Sequence, residues 1–174
     1  MSAEDKLATL QGSLHEMARV LVCFSGGVDS SFLLRVAHDS LGRDAVALTT
    51  VSPTNPEDDT KEAAELAAEL GVEHVVVKVN ELEIPNYREN PLNRCYFCKS
   101  NLYEIATTEA LQRAVPWIID GVNGDDLGDY RPGLKAASER AAEPADLRLR
   151  QCDLGEGMAD RSLRCRLQPR TIVA

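Results

Sequence analysis

The fold class of this 174-residue chain is indicated most strongly by the segment Val20-Leu-Val-Cys-Phe-Ser-Gly-Gly-Val-Asp-Ser-Ser31. Its first five residues are apolar, which is typical of a short buried strand. After the glycine pair, apolar residues recur on one face of a helical pattern: Phe32, Leu33, Val36 and Ala37. A strand that passes through a glycine loop into a helix is the usual beginning of an open α/β sheet.

The same alternation of strand and helix continues in both directions from this stretch. Apolar periodicity predicts helices over 5–18, 57–70 and 95–114, and β-rich runs predict strands over 45–51, 74–79 and 117–120. Gly42 and Gly71 stand where two of the helices should end. We therefore predict a doubly wound, Rossmann-like parallel sheet with helices on both faces. Ligands of such sheets bind at the carboxyl ends of the strands.

Charge, apolar runs and cysteine content limit the classes of function that this chain can have. The chain has 19 basic and 28 acidic residues, a net charge of −9, and an acidic chain is not attracted to the phosphates of nucleic acid. It contains no apolar run long enough to span a membrane, and its first residues lack the pattern of a secretory signal. Five cysteines in such a chain predict the reducing cytoplasm, with metal binding or catalysis favoured over disulfides.

The glycine loop has the chemistry of an anion site. Two adjacent glycines let the backbone approach closely, so that N–H groups point at phosphate oxygens. The hydroxyls of Ser25, Ser30 and Ser31 add donors, and the following helix N-terminus adds a positive dipole end. The loop lacks the Lys of a Walker A motif. The alternative is a tight turn in which Asp29 or Ser30 caps the helix.

A second motif is Cys95-Tyr-Phe-Cys98, at the start of a predicted helix. Two cysteines at this spacing either bind one metal ion or cluster together with further ligands, or cycle as a disulfide. Arg94 would favour the thiolate of the neighbouring Cys95. Ordinary packing of two small apolar residues is the alternative.

A third motif follows the predicted strand 117–120. Asp125, Asp126 and Asp129 offer carboxylate oxygens to Mg²⁺, and Arg131 can bind a phosphate through two parallel N–H bonds. The alternative is a solvated acidic loop.

SGGVDSS resembles the PP-loop of the adenine-nucleotide α-hydrolase-like superfamily, whose members cleave ATP between the α- and β-phosphates. The resemblance implies that the loop binds pyrophosphate through Ser25, Gly26, Gly27, Asp29 and Ser30, with Ser31 beside them. It also implies that Asp29 helps to hold Mg²⁺, and that the strand end at Thr50 and Val51 borders the adenine.

The three motifs in this order resemble the LarE family of ATP-dependent sacrificial sulfur transferases, which build a nickel-pincer nucleotide cofactor. The resemblance covers residues 5–140. It implies adenylation of a carboxylate on a pyridinium dicarboxylate mononucleotide, followed by sulfur transfer from a protein cysteine or an iron–sulfur cluster. Cys95 and Cys98 match the family's cysteine pair, so they would donate sulfur or, with a third ligand, hold a 4Fe–4S cluster.

Lys99 and Arg131 are candidate contacts to substrate or phosphate. The resemblance also implies homo-oligomers in the full-length family. Three alternative functions are compatible with the same glycine loop. They are tRNA thiolation, amide synthesis, and ATP binding without turnover by a remnant of a longer enzyme. A small zinc module built on the cysteine pair is a further alternative.

Residues 141–174 differ from what precedes them. All six basic residues there are Arg, and no strand or apolar helix face is recognisable. We therefore predict a PP-loop domain over 1–140 and an atypical tail over 141–174, with disorder or a frameshifted reading as hypotheses for the tail. Cys152 and Cys165 lie in the tail and are candidates for the third cluster ligand.

Overall fold

A computed structural model describes residues 2–52, 57–80, 94–122, 148–153 and 164–166. The helices are α1 (Ala3–Met17), α2 (Val28–Leu41), α3 (Glu57–Leu70) and α4 (Arg94–Gln112). The strands are β1 (Val20–Cys23), β2 (Ala45–Val51), β3 (Glu73–Lys78), β4 (Trp117–Val122), β5 (Arg148–Asp153) and β6 (Arg164–Arg166).

The strands form one sheet in the order β3-β2-β1-β4-β5-β6. The pairs from β3 through β5 are parallel, and β6 runs antiparallel to β5. The chain leaves β1 on one side toward β2 and returns on its other side as β4, so the strand order reverses at β1. This confirms the predicted doubly wound sheet, and ligands are expected at such a reversal.

Two apolar cores cover the two faces of the sheet. Alternate strand residues point to opposite faces, so Val22 belongs to one core and Leu21 to the other. The first core is formed with α1, α2 and α3, through residues such as Leu14 and Leu34. The second is formed with α4, through Tyr103. Helices therefore lie on both faces, as predicted.

The helix ends have local causes in the sequence. Ser2 caps α1, its Oγ accepting from the N–H of Asp5 while the Asp5 carboxylate accepts from the N–H of Ser2. Gly42 follows α2 and Gly71 follows α3, with φ of +59° and +70°. Both glycines stop their helices as predicted, because only glycine enters that region without steric cost.

The sequence interpretation was wrong about strands beyond residue 140. β5 and β6 lie there and extend the sheet past β4. The run Arg148-Leu-Arg-Gln-Cys-Asp153 has a single large aliphatic residue, so its pattern gave no strand signal, and parallel pairing with β4 supplies the backbone partners instead. The domain boundary at residue 140 remains a prediction. Among the described helices, none has the length and apolar character needed to cross a bilayer.

Candidate active site

One cavity of about 660 Å³ opens at the carboxyl ends of β1, β2 and β4. Its wall includes the glycine loop after β1, the end of β2 and the end of β4, together with side chains from α3 and α4. The predicted site residues that line it are Ser25, Gly26, Gly27, Asp29, Ser30, Thr50 and Lys99. The sheet therefore brings these residues together at the predicted edge.

The loop backbone takes a conformation that only glycine adopts easily. Gly26 has φ +79°, and a Cβ on this residue would lie 3.0 Å from the Cβ of Ala63 on α3. Ala63 is itself fully buried. The loop is thus held against α3 by close packing, and no larger residue fits at position 26 without moving one of them.

Serine hydroxyls brace the loop from inside. The Oγ of Ser30 donates to the carbonyl of Gly27 at 3.0 Å and lies 3.1 Å from the Oγ of Ser25. The Oγ of Ser31 donates to the carbonyl of Gly26 at 3.2 Å. Serine oxygens also engage two N–H groups of the loop: the N–H of Ser25 donates to the Oγ of Ser30 at 3.3 Å, and the N–H of Gly27 donates to the Oγ of Ser25 at 3.4 Å. These bonds fix the shape of the loop.

The start of α2 also lacks a side-chain cap. Gly27 is its N-cap and has no side chain that could accept a hydrogen bond from the first turn of the helix. The alternative in which Asp29 or Ser30 caps the helix is therefore wrong. An uncapped helix start carries free N–H donors and a partial positive charge, which is the arrangement that binds phosphate.

A charged cluster lies beside the glycine loop, at the end of β4. The Asp120 carboxylate, only 4% exposed, accepts two hydrogen bonds at Oδ2: from Lys99 Nζ at 2.5 Å and from Tyr103 Oη at 2.8 Å. Burial alone would lower the pKa of Lys99, but the Asp120 charge and hydrogen bond outweigh it, so the pKa is raised. Lys99 is therefore a fixed cation at the cavity wall.

Two thiols near this cluster differ in environment. Cys98 is exposed on α4, whereas Cys23 is buried at the end of β1. Burial, followed by the negative charge of Asp120, raises the pKa of the Cys23 thiol, so this thiol stays protonated. Cys95 lies in the first turn of α4, three residues before Cys98.

The described residues do not form a metal centre of their own. No group of three or more His, Cys, Asp or Glu side chains within them could hold an ion. The third ligand of the predicted 4Fe–4S cluster remains a prediction, because the side chains of its candidates, Cys152 and Cys165, lie outside what is described. The side chain of Cys95 lies outside what is described, as do Asp125, Asp126 and Arg131.

Thr49 ties the glycine loop to the sheet behind it. Its buried Oγ1 donates to the carbonyl of Phe24 at 2.7 Å and accepts from Nε2 of His74 at the same distance. The Phe24 and His74 rings meet edge to face, with centroids 5.7 Å apart. Because Phe24 directly precedes the loop, this network sets where the loop leaves β1.

We expect Thr49→Val to lower the free energy of unfolding by about 1–3 kcal/mol, since it removes both hydrogen bonds and leaves a buried carbonyl unpaired. Urea denaturation measures the change. Thr108→Val is the matched control, because the Thr108 hydroxyl is exposed and bonds only within its own helix. Equal unfolding midpoints for the two variants would contradict the role given to Thr49.

Three predicted residues that the structure describes do not line the cavity. They are Ser31, Val51 and Cys98, and their roles remain predictions. Conversely, the sequence interpretation missed Asp120 and Tyr103. The available signals were a lone carboxylate closing the apolar run Trp117-Ile-Ile-Asp120, and a tyrosine four residues after Lys99.

Comparisons with known proteins agree with this architecture. An NH₃-dependent NAD synthetase from Campylobacter jejuni superimposes with a TM-score of 0.63 at 16% sequence identity, over 73% of this chain and 59% of that one. At that identity the likeness shows the fold alone.

Curated relatives are closer in sequence. The chain is 36% identical to the pyridinium-3,5-bisthiocarboxylic acid mononucleotide synthase of Lactiplantibacillus plantarum, over 79% of this chain and 50% of that protein. It is 48% identical to an uncharacterised Synechocystis protein, over 79% of this chain and 51% of that one. The chain thus spans about half the length of these relatives. The match to the Lactiplantibacillus plantarum synthase confirms the resemblance to the sulfur transferase family.

The family model described as asparagine synthase matches residues 8–98, which is more than half of the chain. The matched range contains the glycine loop and ends at Cys98. The chain belongs to the asparagine synthase family and carries its PP-loop domain.

Proposed function

We propose that this protein is an ATP-dependent sulfur transferase of cofactor biosynthesis, which activates a carboxylate by adenylation and then replaces one of its oxygens with sulfur. The observation that carries the proposal is the 36% identity, over 79% of this chain, to a protein named as a pyridinium bisthiocarboxylic acid mononucleotide synthase. The acceptor we propose is a pyridinium dicarboxylate mononucleotide.

The glycine loop is the proposed site for the β- and γ-phosphates of ATP. Amide N–H groups from Gly26 to the start of α2 would bind the phosphate oxygens, and the helix end would stabilise the charge on departing pyrophosphate. Thr50, at the end of β2, lines the same cavity and with Val51 would border the adenine.

Mg²⁺ fits this site as a companion of ATP. Asp29 is half-buried at the cavity wall and offers a hard carboxylate oxygen, and Mg²⁺ typically combines one or two carboxylates with substrate phosphates. When bound, the ion would neutralise charge on the leaving pyrophosphate. Asp125 and Asp126 remain predicted as further ligands, and Arg131 as a phosphate contact.

The carboxylate of the acceptor is a poor electrophile, and adenylation makes its carbonyl carbon reactive. An acceptor carboxylate oxygen attacks the α-phosphorus of ATP, the bond from that phosphorus to the bridging oxygen breaks, and pyrophosphate leaves. The product is an acyl adenylate, whose carbonyl carbon a thiolate can attack. AMP then leaves and carries one of the original carboxylate oxygens.

Cys95 and Cys98 are the proposed source of sulfur. Attack by one of these thiolates gives a thioester to the protein. Loss of the cysteine α-proton and breakage of its Cβ–S bond then release a thiocarboxylate and leave dehydroalanine, with no change in overall oxidation state. The exposure of Cys98 leaves its sulfur accessible to an acyl adenylate, which supports this role. The side chains of Cys95, Cys152 and Cys165 lie outside what is described, so we derive no step through a cluster.

The remaining expectations concern partners and location. The acidic chain favours a small nucleotide substrate over nucleic acid. We also propose a cytoplasmic location, where cysteines stay reduced, and a homo-oligomeric full-length protein.

The test is to incubate the purified protein without oxygen with Mg²⁺, ATP and the dicarboxylate mononucleotide, and to weigh the acceptor by mass spectrometry. We expect a product heavier by the difference between sulfur and oxygen, formed only with ATP. ATP binding without any thiolated acceptor would overturn the sulfur-transfer function.

A further inference from the structure

The buried carboxylate of Asp120 is unusual in a cavity meant for a polyanion. Asp120 is 4% exposed and lies at the cavity wall, where its negative charge would by itself repel phosphate. Two side chains of α4 converge on its Oδ2 atom, Lys99 and Tyr103. The Lys99 ammonium also lies 5.6 Å from the centre of the Tyr103 ring. The ammonium is thus held from two sides, by a carboxylate and by an aromatic face.

Sheet register places this cluster next to the glycine loop. Asp120 on β4 is paired with Cys23 on β1, and the loop begins at Ser25, two residues further along β1's path. Lys99 lines the same cavity as the loop. Only one of its three N–H bonds is needed for Asp120, so the others are available to a ligand.

We propose that Asp120 and Tyr103 are positioning residues that hold the Lys99 ammonium for a phosphate group of the nucleotide bound at the glycine loop. The inference rests on the nucleotide site of the proposed function and extends it to two residues. A lysine side chain loses much rotational freedom when a ligand immobilises it. A lysine already fixed by Asp120 and Tyr103 has lost that freedom before the nucleotide arrives.

The direction in which Asp120→Asn changes nucleotide affinity distinguishes positioning of Lys99 from a purely electrostatic effect of the Asp120 charge. If Asp120 acted only as a charge, Asp120→Asn would remove a repulsive group and tighten nucleotide binding. If Asp120 positions Lys99, the same change frees the ammonium and weakens binding. If Asp120 only holds α4 against β4, Asp120→Asn would lower thermal stability, and its effect on nucleotide binding would not depend on Lys99.

Isothermal titration with a non-hydrolysable ATP analogue plus Mg²⁺ measures the effect without requiring turnover. We expect Lys99→Met to weaken binding about 10- to 100-fold, the usual loss for a hydrogen bond to a charged group. Asp120→Asn should weaken it about 3- to 10-fold and Tyr103→Phe about 2- to 3-fold, as for weaker hydrogen bonds. Asp39→Asn is the control, since it removes an exposed ion pair with Arg35 on α2.

The double variant completes the experiment. With Lys99→Met already present, Asp120→Asn should cost no further affinity, because Asp120 acts through Lys99. The inference would be overturned if Asp120→Asn tightened nucleotide binding when Lys99 is present. It would also be overturned if Asp120→Asn lowered the affinity equally with and without Lys99→Met. If Asp120→Asn fails to fold, Tyr103→Phe carries the same comparison.

The outcomes also separate this inference from the proposed function. No binding of the analogue by the unmodified protein would overturn both. Binding by the unmodified protein that Lys99→Met, Asp120→Asn and Tyr103→Phe leave unchanged would overturn this inference alone. Weakened binding in the variants supports it, whether or not the acceptor is thiolated.

Discussion

Gly26→Ala should reduce ATP-dependent AMP formation by about 100-fold, since a displacement near 1 Å at a reacting group costs roughly that factor. The new Cβ would lie 3.0 Å from the Cβ of Ala63, and the backbone at φ +79° disfavours any residue but glycine. The loop must shift, and its amide groups then miss the phosphate oxygens. Product analysis at saturating ATP measures the loss.

Two glycine controls separate the effect of displacing the loop from the effects of backbone strain and of an added methyl group. Gly42→Ala carries similar backbone strain at φ +59°, but nothing lies within 4 Å of its new Cβ and it lies at the far end of α2. Gly12→Ala on α1 meets no atom within 4 Å either and carries no positive φ. Both variants should keep the turnover rate of the unmodified protein. Unimpaired turnover by Gly26→Ala would contradict the role given to the loop.

Replacing the sulfur-donating cysteine should abolish formation of the thiolated acceptor while pyrophosphate release persists. Adenylation uses the loop and Mg²⁺, whereas only the following step needs a thiolate. Cys95→Ser and Cys98→Ser, made singly, test this prediction when pyrophosphate and thiolated acceptor are measured in the same reaction. At least one variant should release pyrophosphate and form no detectable thiolated product.

Cys23→Ala is the control thiol. Burial and the nearby Asp120 charge keep the Cys23 thiol protonated, so it is a poor nucleophile, and its loss should leave thiolation in place. Undiminished thiolation by both Cys95→Ser and Cys98→Ser would show that the sulfur has another source.

Local patterns predicted the fold well because its elements have strong local causes. The strand Ala45–Val51 has the bounds that its β-rich run predicts, and Gly71 ends α3 as predicted. The strand Arg148–Asp153 was missed because its backbone pairing with β4, and not its own composition, makes it a strand.

The candidate site was predictable only in part, for a similar reason. Gly26 and Gly27 are recognisable because the chemistry is contained in neighbouring residues. The pairing of Lys99 with Asp120 joins residues 21 positions apart, and only the packing of α4 against β4 brings them together. Sequence spacing gives no sign of such a contact, and the buried carboxylate becomes meaningful only with its partners in view.

If the glycine loop supports attack of a carboxylate on the α-phosphorus of ATP, an oxygen of that carboxylate must end in AMP. The most direct measurement uses an acceptor whose carboxylate oxygens carry a heavy isotope, with mass analysis of the nucleotide after turnover. We predict that AMP appears together with pyrophosphate and carries one labelled oxygen from the acceptor. Unlabelled AMP, or ADP with free phosphate, would contradict the claim.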